Sequence, residues 1–101
     1  MANFVRVAAT TEIPAGQGKT VEVSGKQIAV FNCDGAFYAI DNVCKHRGGP
    51  LGEGEVDGIN VICPWHGWTY NVTNGECVDE PDCHVDKYEV KVEGDDVLIG
   101  V

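Results

Sequence analysis

Cys44-Lys45-His46-Arg47-Gly48-Gly49 and Cys63-Pro64-Trp65-His66-Gly67-Trp68 decide how this chain is read. Each stretch offers one thiolate and one imidazole, two residues apart in the first and three apart in the second. Such spacings let a tight loop aim both side chains at one point. Two clips of this kind facing each other make a metal site with two soft sulfur ligands and two nitrogens. A glycine lies close behind each histidine, Gly48 after His46 and Gly67 after His66. It permits sharp backbone bends near a metal.

Outside the clips the chain reads as short strands between turns. Phe4 to Ala8, Thr20 to Val23, Gln27 to Phe31 and Ala36 to Ile40 carry the alternating or β-branched patterns of strands. Ser24-Gly25 and Cys33-Asp34-Gly35 separate the last three as hairpin turns, so an antiparallel meander is expected. Thr10 to Gly18 reads as a loop. Asp57-Gly58 turns into Ile59 to Ile62, a strand that delivers Cys63, and Gly67 to Tyr70 leaves the second clip as another. Asn74-Gly75 is a hairpin signal, Glu76 to His84 a polar loop, and Lys87 to Val92 with Val97 to Val101 a closing hairpin around Gly94-Asp95. No helix of ordinary length is called for, and the fold class is all-β.

The 101 residues predict a single domain, 1–101, with a metal-bearing subdomain at about 42–83. A core this small gains from a metal staple. Sixteen acidic against seven basic residues give a net charge of −9, which disfavours nucleic acid and anionic membrane and favours a partner with a basic docking face. There is no signal-peptide pattern and no apolar run long enough to span a bilayer, so a cytoplasmic protein that does not engage the membrane is expected. Five cysteines, an odd number, make a poor disulfide framework and agree with a reducing compartment.

As bare ligands, two cysteines and two histidines also suit tetrahedral zinc. A zinc-binding interaction module is therefore one alternative, although a finger would carry its histidines on a helix. The order Cys-x-His then Cys-x-x-His, with the glycines behind, resembles the Rieske [2Fe–2S] centre. The resemblance implies one [2Fe–2S] cluster, with Cys44 and Cys63 on one iron and His46 and His66 on the other. It implies a Rieske-like fold, an antiparallel β-sandwich base with a small cluster-binding subdomain. Respiratory members carry a further cysteine in each loop, paired as a disulfide; Gly49 and Trp65 stand in those places here. Trp68 replaces a serine that donates to the cluster in high-potential members, and Tyr70 matches a tyrosine they often keep.

This pattern resembles the soluble, low-potential ferredoxins of bacterial oxygenase systems. The implied role is a one-electron carrier rather than an enzyme. It would dock transiently with an NAD(P)H-dependent flavin reductase, the ferredoxin reductase, and with a terminal, aromatic-ring oxygenase, and be a monomer in solution. Oxygenase large subunits also hold a mononuclear iron, but only His84 lies outside the clips, too few histidines for a facial triad. The small subunit of an assimilatory nitrite reductase, which shares the fold, is the other alternative. Cys33, Cys77 and Cys83 read as small packed hydrophobes and His84 as a surface or loop residue. Trp65 is expected to be partly exposed and Trp68 to pack inward.

Overall fold

The structure is a computed structural model that describes residues 3–23, 25–43, 49–65, 67–79 and 83–100. Strands β1 (Phe4–Ala9), β2 (Gln17–Val23), β3 (Lys26–Cys33), β4 (Ala36–Asp41), β8 (Lys87–Glu93) and β9 (Asp96–Gly100) form a six-stranded sheet in the order β1-β9-β8-β4-β3-β2. All pairings are antiparallel. Strands β4 and β8 meet through only Ala39–Tyr88 and Ile40–Lys87. The sheet is thus two three-stranded halves that fold over one another, a sandwich that nearly closes into a barrel. Ala8, Val97 and Ile99 of one half and Val21, Ile28, Val30 and Ala39 of the other fill the space between them.

Alternation along β3 explains why a second layer is needed. Ile28 and Val30 face the core between the halves, while Ala29, Phe31 and Cys33 face the opposite way into a second core. Strands β5 (Glu55–Asp57), β6 (Asn60–Ile62) and β7 (Thr69–Asn71) form a small antiparallel sheet. Its Val61 and Tyr70 join Leu51, Val72, Cys77 and Val85 in covering that face. Apart from two short 3-10 turns, Thr10–Glu12 and Leu51–Glu53, the described residues hold no helix.

The turns follow local chemistry. Asp34 (φ 56°) and Gly35 (φ 93°) are the two loop residues between paired Cys33 and Ala36, the left-handed pair that a tight hairpin requires. Ser24 lies outside the described residues, but Val23 pairs with Lys26 as that hairpin predicts. Two expectations are corrected and one strand is added. Strand β2 begins at Gln17 rather than Thr20, because Gln17, Gly18 and Lys19 pair with the far end of β3. Strand β5 has no counterpart in the sequence reading, which has only the Asp57-Gly58 turn there; Glu55 and Asp57 are exposed and only Val56 turns inward, too little apolar pattern to announce a strand. Asn74-Gly75 does turn the chain, with the Gly75 amide donating to the Asn71 carbonyl at 2.7 Å, but the returning segment pairs only at the single bridge Tyr70–Cys77.

Candidate metal centre

Two loops rise from this scaffold. The first leaves β4 at Asn42, and its arms are drawn together at the base. Val43 bridges to Pro50, and the Leu51 amide donates to the Asn42 carbonyl at 2.8 Å. The Asn42 side chain, 2% exposed, closes the same neck: its Oδ1 accepts from the Gly52 amide at 2.7 Å and from the Thr20 hydroxyl at 3.0 Å. Cys44, Lys45, His46, Arg47 and Gly48 occupy the loop between these arms in sequence and lie outside the described residues.

The second loop joins β6 to β7. The Cys63 amide donates to the Trp68 carbonyl at 2.7 Å, and the Gly67 amide donates to the Cys63 carbonyl at 3.0 Å. Gly67 adopts φ 73°, a left-handed turn that glycine makes without strain. Cys63 and Gly67 thus close one short loop; His66, expected beside them as a ligand, lies outside the described residues. On the outer side of β7, the Val78 amide donates to the Thr69 carbonyl and the Asp79 carboxylate accepts from the Thr69 amide, both at 2.7 Å.

The loops converge. A Cβ placed on Gly49, in the first loop, would lie 2.7 Å from the Cys63 Sγ and 3.1 Å from the Trp65 Cγ of the second. Only a glycine allows the first loop to approach the sulfur so closely. That Cβ would also lie 3.3 Å from the Trp65 Cβ, slightly inside the ~3.5–4.5 Å of a disulfide. The two positions matched to paired cysteines in respiratory members are therefore neighbours here, with the indole of Trp65 packed where a bridge would run.

Of the four expected ligands, Cys63 is the one described, 1% exposed and packed in the second core. A buried thiol that the Gly49 backbone approaches closely fits the sulfur part of a set of two thiolates and two imidazoles; the other three expected ligands lie outside the described residues. Trp65 is 59% exposed, and Trp68 packs against the second core, both as expected. Tyr70 is fully buried beneath the loops. Cys33 and Cys77 are buried and Cys83 half-buried, and burial pushes the Cys33 thiol up. His84 is exposed and bridges to Glu76. Asn42 and Gly52 gave no signal as site residues: one asparagine and one glycine among many, they are set apart only by the neck they close.

The Rieske [2Fe-2S] domain family matches residues 3–94. The ferredoxin component of the naphthalene 1,2-dioxygenase system of Pseudomonas aeruginosa is 33% identical over 97 residues, covering 95% of this chain and 93% of that protein. A chain in the complex of reduced oxygenase and oxidized ferredoxin in carbazole 1,9a-dioxygenase superposes with a TM-score of 0.88 at 29% identity, over 96% of this chain and 92% of its own. A structure described as an NADH-dependent nitrite reductase small subunit from Mycobacterium tuberculosis superposes with a TM-score of 0.93 at 24% identity, over 100% of this chain and 96% of its own; at that identity the likeness is one of fold alone. This chain belongs to the Rieske [2Fe–2S] family.

Proposed function

We propose that this member of the Rieske [2Fe–2S] family binds one [2Fe–2S] cluster through Cys44, Cys63, His46 and His66. It carries single electrons from an NAD(P)H-dependent flavin reductase to the terminal oxygenase of a bacterial ring-hydroxylating system. The observation that carries the reading is the approach of Gly49 to the Cys63 sulfur, which joins the two ligand-bearing loops at one point. When bound, the cluster would supply a one-electron couple, with Cys44 and Cys63 as its thiolate ligands and His46 and His66 as its imidazole ligands.

The chain's own residues shape that couple. The second core around Cys63, with Phe31, Leu51, Val61 and Tyr70, keeps water from the sulfur side. Trp65 presents an exposed apolar surface beside His66 in sequence, suited to a transient contact with a redox partner. The net charge of −9 favours an oxygenase or reductase with a basic docking face. The similarity to dioxygenase ferredoxins over nearly the full length of both chains supports this assignment over the zinc module.

Iron and acid-labile sulfide are measured in protein purified without air, followed by electron paramagnetic resonance after dithionite reduction. Two irons and two sulfides per chain with a rhombic signal of mean g below two are expected. A single bound zinc with no signal would end the proposal. Reduction by a flavin reductase and NAD(P)H, then reoxidation by an oxygenase with its substrate, tests the carrier role.

A further inference from the structure

We propose that Asn42, Thr20 and Gly52 form a latch that positions the Cys44–His46 loop, so that the side chain of Asn42 governs how firmly the cluster is retained. This rests on the ligand reading above. The Asn42 side chain is 2% exposed, two residues before Cys44, and touches three parts of the fold at once. Its Oδ1 accepts the Gly52 amide at 2.7 Å from the far arm of the loop and the Thr20 hydroxyl at 3.0 Å from β2. Its Nδ2 points to the Gln27 Oε1 on β3 at 3.5 Å, and its backbone amide donates to the Gln27 carbonyl at 3.0 Å.

The latch is a fitted device. A Cβ on Gly52 would collide with the Thr20 hydroxyl and would come within 3.0 Å of the Asn42 Oδ1. Glycine at 52 is what allows the two donors to share one carbonyl oxygen. The consequence for the cluster follows from connectivity. Cys44 and His46 supply one ligand to each iron and share the loop whose neck Asn42 closes. An unlatched neck would loosen both irons together, while β3 and the core between the sheet halves stay packed. Asn42 is therefore a positioning residue, acting through the loop and not by contact with the cluster.

The test compares cluster-loaded wild type with Asn42→Ala, Thr20→Val and Thr20→Ser. Cluster release into excess EDTA is followed by loss of visible absorption. Line shape is followed by electron paramagnetic resonance of the reduced protein, and exchange of the Gly52 and Val30 amides by hydrogen–deuterium exchange. In Asn42→Ala the Gly52 amide and the Thr20 hydroxyl lose their shared acceptor. Release about tenfold faster or more is expected, with a broadened signal and faster Gly52 exchange, while the Val30 amide in β3 is unchanged. Thr20→Val moves release the same way by less, and Thr20→Ser, which keeps the hydroxyl, restores it.

Wild-type release and line shape in Asn42→Ala would overturn the latch, as would a Val30 amide that loosens as much as Gly52. If Asn42→Ala fails to fold, the Thr20 pair decides: equal release from the valine and serine variants rejects the proposal. If wild type itself takes up no cluster, the ligand reading fails, whereas Gly52 exchange in the cluster-free variants still judges the latch.

Discussion

Gly49→Ala tests the convergence of the two loops with one methyl group. The added Cβ would lie 2.7 Å from the Cys63 Sγ and 3.1 Å from the Trp65 Cγ. Non-bonded heavy atoms settle at about 3.5–4.0 Å, so the methyl intrudes on the sulfur by roughly 1 Å. Overpacking of this kind costs about 1–3 kcal/mol. An unligated thiol relieves part of it by rotating, although Cys63 is 1% exposed and hemmed in by the second core. A sulfur fixed to iron has no such freedom. The penalty should therefore fall mainly on the loaded form, weakening cluster retention by about tenfold to a hundredfold. Iron and labile sulfide per chain, release into EDTA, and thermal melts of loaded and cluster-free protein separate these contributions. A variant with full cluster content and wild-type release would refute the argument. A melt lowered equally with and without cluster would show that residue 49 serves packing alone.

Other consequences follow from the same physical picture. His66→Cys should keep iron but lower the reduction potential, because thiolate donates more charge than imidazole; voltammetry showing an unchanged potential contradicts the ligand assignment. Electron transfer to an oxygenase with a basic docking face should slow as salt rises from low to physiological strength, given the net charge of −9; stopped-flow rates independent of salt would remove charge from the docking account. The Lys19 ammonium, 3.0 Å from Glu12, holds that carboxyl below its ordinary value, helped by a backbone hydrogen bond from Ala9. Because the folded value is the depressed one, the pair stabilises the fold above the ordinary carboxylate range, and that contribution is lost as pH falls through the folded value. Melts of wild type and Lys19→Met should differ slightly near neutral pH and converge in acid; the difference is small because both groups are exposed.

Much of the sheet was legible because turns are written locally. Asp34, Gly35 and Gly94 take the positive φ that few other residue types adopt easily, and strands flank both turns, as expected. The closing of the base was not legible. Strand β1 pairs with β9, Phe4 opposite Gly100, across nearly the whole chain, and no local pattern specifies such a partner. Strand β5 escaped notice because Val56 is its one inward residue. At the site, the exposure of Trp65 and the inward packing of Trp68 were readable from their motif. The part played by Gly49 was not, since a glycine's value there lies in the distance to a sulfur fourteen positions further along.

By itself the amino-acid order determined which metal-binding side-chain types are at hand and how closely they are spaced, and the proposed ligand set rests on that. Ligand type and loop length are properties of a few adjacent residues, so they need no knowledge of the rest of the chain. Tertiary structure decided how the two loops meet. It set the Gly49 backbone against the Cys63 sulfur and closed the neck of the first loop through Asn42, Thr20 and Gly52. It also divided the faces of β3 between two cores, one closing the base and the other lying beneath the second loop. Those contacts join residues distant in sequence, and they exist only once the strands have paired and packed.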